Sequence, residues 1–318
     1  MRVLLTGGFG DVGRRVVPAL IAEGHEVRVF ELRTPANEKQ ARALPPQAEA
    51  HWGDLRDAEG VRRAVAGCDA VVHMAFIIPP LSELQPELAH KVNVGGTTNV
   101  VAAAAAEGID RLVFASSYHV HRYDPERGEP LTTEAAVEPS DTYAQHKIAA
   151  EALVRDGGVP YTILRMSSVW LDRSPNAQNL RLMYDIPLDT RMETAHPDDL
   201  ALAFARAPAV DELVGRTLFV GGGPSCQTTY RQLYSRIFAA SGLSELPDAA
   251  FTQRPFIGDW LDTAESQRLL NYQHHSLEQL IAARRAGRIT RAATRLLSPL
   301  IQRWMLSHSS HWSAAARQ

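Results

Sequence analysis

The sequence predicts an α/β protein, a doubly wound parallel sheet with a smaller C-terminal lobe. Two observations favour this architecture. Short apolar runs of strand character alternate with helical stretches through the first half of the 318-residue chain, a pattern typical of a parallel sheet with helices on both faces. The alternation stops after Val169, where prolines and short mixed segments follow, as expected for a separate lobe.

The elements follow from local pattern. The predicted strands are VLLTG (3–7), EVRVFE (26–31), AEAHWGD (48–54), AVVHMA (70–75), RLVFASS (111–117) and YTILRM (161–166). A helix follows the first strand and another begins near Ser140, because apolar residues recur at helical spacing. We expect a main domain over residues 1–170 to which segments near 194–222 return, a lobe mainly over 171–287, and a tail over 288–318.

Charge and cysteine content narrow the functional class. The formal net charge is -3 and the pI is near 6.5, whereas a general nucleic-acid binder normally has a strongly basic face. We therefore expect no nucleic-acid partner. The two cysteines, Cys68 and Cys226, suggest thiols in a reducing compartment. No apolar run has the length of a signal-peptide core or a membrane-spanning helix, so we expect a cytoplasmic protein.

Three glycines spaced three apart lie between the first strand and the first helix, in TGGFGDVG (6–13). In this setting Gly7 permits a tight turn, Gly10 lets the backbone approach a ligand, and Gly13 lets the helix lie close to the strand. The helix start offers N–H groups and partial positive charge to a pyrophosphate. The pattern predicts a Rossmann-type dinucleotide site. Its other predicted contacts in the turn are Phe9, Asp11 and Val12.

Glu31 ends the second predicted strand, 18 residues after Gly13. A carboxylate there can accept hydrogen bonds from ribose hydroxyls and would repel the 2′-phosphate of NADP. Arg33 would favour NADP instead, or would be an ordinary surface arginine. We expect NAD as the cofactor, with NADP the less favoured alternative and both Glu31 and Arg33 at the cofactor site.

Tyr143 and Lys147 in YAQHK lie four residues apart on a predicted helix and therefore share a face. The Lys147 ammonium is predicted to stabilise the phenolate of Tyr143 and to lower its pKa. Such a phenol can exchange a proton with an alcohol or carbonyl oxygen. Ser116 and Ser117 end the fifth strand, at the edge where ligands of such sheets bind, and supply a hydroxyl to hold that oxygen.

Seven motifs in order resemble the NAD-dependent epimerase/dehydratase family of extended short-chain dehydrogenases/reductases, over about residues 1–285. The motifs are TGGFGDVG, GDL (53–55), HMA (73–75), NVGGTTNV (93–100), FASSYHV (114–120), PSDTYAQHK (139–147) and HPDDLALA (196–203). The resemblance implies an NAD-binding enzyme. It also implies a homodimer that pairs the helices near 86–107 and 140–156.

The resemblance assigns roles to individual residues. Tyr143 would be the acid/base, Lys147 would bond the nicotinamide ribose, and Ser117, which keeps the family's spacing to Val120, would be catalytic while Ser116 packs. Further cofactor contacts would be made by Asp54, Leu55, Ala75, Asn93, Met166 and Val169. The predicted substrate contacts are Phe76, Ile77, Ser117, Tyr118 and His119. No metal is expected, since His119 and His121 have no third ligand nearby and are interpreted as rim residues.

Departures from the family pattern restrict the reaction. The acidic pair that sugar dehydratases carry after their hydroxyl residue is replaced by Tyr118 and His119, which disfavours dehydration. Met192 stands where nucleotide-sugar enzymes place an arginine. We expect an NAD-dependent oxidoreductase that moves hydride to or from a small, partly apolar or sugar-like carbinol or carbonyl. The alternatives are a nucleotide-sugar epimerase and a non-catalytic NAD-binding regulator.

The C-terminal tail is basic and amphipathic. The last 40 residues contain seven arginines and no acidic residue. Apolar residues recur every three or four positions and predict one helical stripe, which Pro299 could divide: Ile289, Ala292, Ala293, Leu296, Leu297, Leu300, Ile301, Trp304 and Met305. Two interpretations stay open, that the stripe docks on the protein or a dimer partner, and that it binds an anionic membrane peripherally.

Overall fold

The computed structural model describes residues 1–122, 124, 127–170, 177–283 and 287–312. The strands are β1 (Arg2–Thr6), β2 (Glu26–Glu31), β3 (Ala48–Trp52), β4 (Ala70–His73), β5 (Arg111–Ser117), β6 (Tyr161–Met166), β7 (Ser168–Val169), β8 (Arg191–Ala195), β9 (Arg216–Val220) and β10 (Gln227–Thr229). The helices are α1 (Gly13–Ala22), α2 (Pro35–Ala41), α3 (Ala58–Val65), α4 (Leu81–Leu84), α5 (Pro86–His90), α6 (Gly96–Ala106), α7 (Thr142–Asp156), α8 (Ala177–Tyr184), α9 (Pro197–Arg206), α10 (Tyr230–Ser241), α11 (Ala264–Leu270), α12 (Leu277–Ala283) and α13 (Arg288–Leu306).

The main sheet has seven parallel strands in the order β3-β2-β1-β4-β5-β6-β9. The predicted doubly wound sheet is therefore confirmed. Strand order reverses between β1 and β4, whose carboxyl ends meet where Thr6 lies beside His73. In sheets of this kind the crevice at such a reversal is the ligand site.

Both faces of the sheet are buried, which explains the unbroken apolar runs of its strands. Successive strand residues point to opposite faces. In β1, Val3 and Leu5 pack into the core under α1 and α9, which includes Phe204. Leu4 packs into the other core with Val61 of α3. This two-sided burial fixes the register and so the position of every strand end at the crevice.

A second, three-stranded sheet in the order β10-β8-β7 was not predicted. Its strand β7 has only two residues, too few for a periodic signal. Strand β9 (Arg216–Val220) lies beside β6 in the main sheet. The chain therefore returns to this sheet after the residues at which the predicted lobe begins. A π-helical turn, Lys91–Gly95, connects α5 to α6.

The tail forms a single helix, α13, that continues through Pro299. The division that Pro299 could have imposed does not occur. None of the helices described is long and apolar enough to cross a membrane.

Candidate active site

The glycine turn allows β1 and α1 to approach each other closely. Gly7 has φ of +75°, and a Cβ there would lie 2.8 Å from the backbone nitrogen of Ala75. A Cβ at Gly13 would overlap the carbonyl oxygen of Gly7. A side chain at Gly7 would push β1 away from the loop after β4, and one at Gly13 would push α1 away from the glycine turn. Glycine is therefore required at both positions.

A cavity of about 510 Å³ opens at the carboxyl ends of β1 and β4. Eight residues predicted to touch cofactor or substrate line it: Gly7, Gly10, Glu31, Asp54, Leu55, Ala75, Phe76 and Ile77. Its position against the glycine turn, at the crevice where the strand order reverses, suits a dinucleotide, so these residues fit the cofactor that the motif predicts.

The cavity carries a carboxylate where it meets the end of β2. Glu31 accepts a hydrogen bond from the Leu32 N–H at 3.1 Å, and burial raises the pKa of its carboxyl. Arg33 does not line the cavity, because its Nε donates to Glu38 at 2.7 Å and its side chain is 69% exposed. Arg33 as a cofactor contact stays a prediction. Arg56, which the sequence analysis missed, lines the cavity.

Two other predicted cofactor contacts point elsewhere. The Phe9 ring is buried in the core, with its centroid 5.9 Å from that of Trp52. Asn93 is fully buried, and its amide bonds the backbone of Ile77 in both directions, at 2.7 and 2.9 Å. Asn93 therefore positions the Ile77 segment of the cavity wall. In the turn, Asp11 is exposed, and Val12 is partly buried against the core.

A buried chain of hydrogen bonds fixes the same wall. Thr97 donates to the carbonyl oxygen of Asn93, so His73 must donate from Nε2 to Thr97 and accept at Nδ1 from Thr6. Burial, aided by Lys147, lowers the pKa of His73 to about 3, which keeps the ring neutral. Thr6 also accepts from the Ala75 N–H at 3.1 Å, which ties β1 to the loop after β4.

Tyr143, Lys147 and Ser117 converge at the carboxyl end of β5. The Ser117 hydroxyl lies beside the Tyr143 phenol, where it partly offsets the rise in the pKa of that phenol. Lys147 lies one turn along α7, and its Nζ donates to the carbonyl oxygen of Ala115 at 2.6 Å. Its Nζ also lies 3.5 Å from the centre of the Phe76 ring, which connects this group to the cavity wall. The predicted trio is thus brought together beside the cavity.

Burial, and not Lys147, has the largest effect on the pKa of Tyr143 in this structure. Burial raises the pKa of Tyr143 to about 12. Lys147 does not offset the effect, because its Nζ lies over Phe76 and is 5.8 Å from the centre of the Tyr143 ring. Burial also lowers the pKa of Lys147 to about 7. The phenol is therefore protonated at neutral pH.

Glu83 on α4 holds the start of α7. Its carboxylate accepts the backbone N–H groups of Thr142 and Tyr143, each at 3.1 Å, and Asp141 caps the same end by accepting from Ala144 at 2.7 Å. These bonds satisfy donors that a helix start leaves free and fix the backbone of Tyr143. No sequence pattern pointed to Glu83, which lies about 60 residues earlier.

A buried ion pair lies behind the trio. Glu151 bonds Arg165 through both carboxylate oxygens, at 2.8 and 2.7 Å, and both side chains are at most 3% exposed. Ser116 donates to the same carboxylate at 2.6 Å, in keeping with its predicted packing role. Arg165 also bonds His121, which is 1% exposed, so the prediction that His121 lies at the rim is wrong.

The other predicted substrate and cofactor contacts surround the trio. The Tyr118 ring is buried, and its hydroxyl donates to the Ile257 carbonyl at 3.2 Å. Tyr118 therefore ties the segment after β5 to the chain at Ile257. The His119 ring lies edge-on to Tyr143, with centroids 6.2 Å apart. Met166 pairs with Ser117 across β5 and β6, and Val169 pairs with Ala195. Neither lines the cavity beside the glycine turn.

His196, Asp199 and His275 form a cluster of possible metal ligands. Asp199 accepts the His275 N–H at 3.0 Å, and its other oxygen lies 2.6 Å from His275 Nδ1. The two histidine rings are stacked 3.9 Å apart. The cluster ties α9 to the 274–276 loop by hydrogen bonds.

The chain is similar in sequence to known oxidoreductases. It is 35% identical over 185 residues to a 3-beta-hydroxysteroid dehydrogenase of Mycolicibacterium neoaurum, which covers 53% of this chain and 48% of that protein. It is 30% identical over 270 residues to a 2-alkyl-3-oxoalkanoate reductase of Stenotrophomonas maltophilia, covering 78% of each. The chain spans only about half the length of several curated relatives it matches.

Solved structures agree with the fold. The UDP-glucose 4-epimerase of Thermus thermophilus, in complex with NAD, is 25% identical with a TM-score of 0.73, covering 91% of this chain and 100% of that one. The model of the NAD dependent epimerase/dehydratase family matches residues 3–186, more than half of the chain. With the sheet order and the glycine turn in agreement, the protein belongs to the NAD-dependent epimerase/dehydratase family.

Proposed function

We propose that the protein is an NAD-dependent oxidoreductase that acts on a carbinol or carbonyl carbon of a small, partly apolar or sugar-like molecule, with Tyr143 as acid/base. The convergence of Tyr143, Ser117 and Lys147 beside the dinucleotide cavity supports this most strongly. Relatives named as dehydrogenases and a reductase support net oxidation or reduction.

Each residue of the trio has a separate task. NAD, when bound, supplies or accepts the hydride. Ser117 holds the substrate oxygen by a hydrogen bond, and Tyr143 gives that oxygen a proton when a carbonyl is reduced or takes one when an alcohol is oxidised. Because burial raises the pKa of Tyr143 to about 12, its hydroxyl keeps the proton needed for carbonyl reduction at neutral pH. Lys147 would bond the nicotinamide ribose.

The segment that we assign to the substrate is apolar, which favours a partly apolar substrate. Phe76 and Ile77 line the cavity, and the neighbouring Ile78 and Leu84 are 50% and 74% exposed. A panel of hydroxysteroids, 3-oxoalkanoates, aldoses and nucleotide sugars, assayed by NADH absorbance, tests the proposal. Net NADH change with one class supports an oxidoreductase. Sugar interconversion without NADH change would indicate the epimerase, and NAD binding without any turnover would indicate the regulator.

We propose NAD as the preferred cofactor, on the basis of Glu31 in the cavity. Glu31→Ser should shift the ratio of NADP to NAD affinities toward NADP by roughly tenfold or more, because a repelling charge beside the 2′-phosphate is removed. Since the pKa of Glu31 is raised, the wild-type preference should weaken as pH falls and the carboxylate is protonated. Titration of cofactor fluorescence measures both effects.

A suitable control is Glu26→Ser, which removes an exposed carboxylate at the opposite end of β2. It should leave the affinity ratio unchanged. Equal or tighter NADP binding by the wild-type protein would contradict the role of Glu31.

We also propose a homodimer through α6 and α7. A shallow apolar groove of about 580 Å³ lies between these helices and includes Val94, Val101 and Ala149. Light scattering should give a dimer at micromolar concentration, and Ala152→Glu, at an exposed position on the groove, should give a monomer that still binds NAD. A monomeric wild-type protein would contradict this proposal.

The two free thiols, Cys68 and Cys226, also favour a cytoplasmic location.

A further inference from the structure

The tail helix α13 packs on the protein by its less apolar face. Ser298 is 5% exposed and lies 3.5 Å from the Ser244 N–H. Gln302 donates to the carbonyl oxygens of Ser244 and Glu245 at 3.0 and 3.1 Å. Met305 is buried in the apolar cluster that contains Tyr184 and Phe251. These contacts fix the rotation of the helix about its axis.

The apolar stripe of the same helix faces away from the protein. Ile289 is 88% exposed, Leu296 84% and Leu300 68%. Leu297 and Trp304, on the same side, are each 52% exposed. Leu296 lies about half a turn from Ser298 around the helix, so the stripe points directly outward. Of the stripe residues, Ile301 and Met305 pack in the protein's own apolar cluster, so the protein's own surface does not cover the rest of the stripe. Docking on a dimer partner stays the alternative.

The surroundings of the stripe are basic. Residues 279–318 contain seven arginines and no aspartate or glutamate. Of these, Arg295 and Arg303 are exposed on α13. An exposed apolar stripe on a helix whose only charged residues are arginines, with a tryptophan near one end, is typical of helices that lie in the headgroup region of an anionic bilayer. A second copy of the chain that docked stripe to stripe would bring a second set of arginines to the contact, and like charges would oppose it.

We propose that the outward stripe of α13, formed by Ile289, Leu296, Leu297, Leu300 and Trp304, binds the surface of an anionic membrane. The helix lies parallel to the surface, because its docked face anchors it to the protein along α10 and the 244–250 loop. The leucines and Trp304 enter the acyl boundary, while the arginines meet lipid phosphates. This inference is independent of the proposed catalytic function.

The test is sedimentation of the full chain with vesicles. Wild-type protein should pellet with phosphatidylglycerol-containing vesicles at low salt, much less with pure phosphatidylcholine, and less again at high salt. Leu296→Glu/Leu300→Glu should weaken binding on the order of 100-fold, because two apolar side chains no longer enter the bilayer. Both side chains are exposed, so the fold should be unaffected.

A matched control is Val137→Glu/Val214→Glu, which adds the same charge at exposed apolar positions elsewhere and should bind vesicles like wild type. Wild-type protein that stays in the supernatant with anionic vesicles would overturn the proposal. Equal loss of binding in the control would also overturn it, since the effect would then come from net charge alone. If Leu296→Glu/Leu300→Glu instead converts a dimer to a monomer, the stripe is an interface between copies of the chain.

Discussion

Tyr143→Phe should reduce turnover at least ~100-fold and leave NAD binding nearly unchanged. The substitution removes the proton that the substrate oxygen must receive or release but keeps the ring, which is 8% exposed and packs edge-on against Phe76. The backbone of residue 143 remains held by Glu83. Steady-state rates with the best substrate of the panel, together with cofactor titration, measure the two effects separately.

A matched control for this variant is Tyr161→Phe. Tyr161 begins β6, the strand that ends at Met166 beside Ser117, so the same hydroxyl is removed at the far end of the sheet. It should retain wild-type turnover. Turnover by Tyr143→Phe within a few-fold of wild type would remove Tyr143 from the proposed chemistry.

Glu151→Gln should lower the free energy of unfolding by about 3–5 kcal/mol, because it leaves the guanidinium of Arg165 buried without a counter-charge. Burial opposes ionisation of Glu151, yet the hydrogen bonds and charge of Arg165 hold the pKa of its carboxyl below the usual value. A depressed carboxyl pKa stabilises the folded state above the unfolded pKa. This contribution should therefore be lost as pH falls through the folded pKa.

Urea unfolding of wild type, Glu151→Gln and Glu151→Leu/Arg165→Met measures the effect. The double variant replaces the whole pair by apolar side chains and should recover much of the loss. At low pH the difference between wild type and Glu151→Gln should shrink. A single variant as stable as wild type at neutral pH would show that the pair contributes little.

Local chemistry explains what the sequence predicted well. The bounds of β2, β5 and β6 agree with the segments identified from apolar runs. The glycine turn was identifiable because Gly7 and Gly13 meet backbone atoms that leave no room for a side chain. The contact of Gly13 with Gly7 lies within the turn and is visible in the sequence, whereas the contact of Gly7 with Ala75 forms only in the fold.

What the sequence missed depends on distant contacts. Asn93 belongs to a recognisable motif, yet it lies in a π-helical turn, and its amide bonds the backbone of Ile77. Glu83 acts on a helix start about 60 residues later. The spacing of Tyr143 and Lys147 predicted a shared face correctly, but burial raises the pKa of the phenol and the Lys147 Nζ lies over Phe76. Side-chain direction in the folded state decides each case.

The central claim is that Tyr143 and bound NAD carry out net oxidation or reduction of the substrate. The ratio of NADH formed to product formed, measured with excess NAD and the best alcohol of the panel, tests it most directly. We expect one NADH for each product molecule and loss of both in Tyr143→Phe. Product formed without NADH would contradict the claim and identify an epimerase that returns the hydride to its substrate.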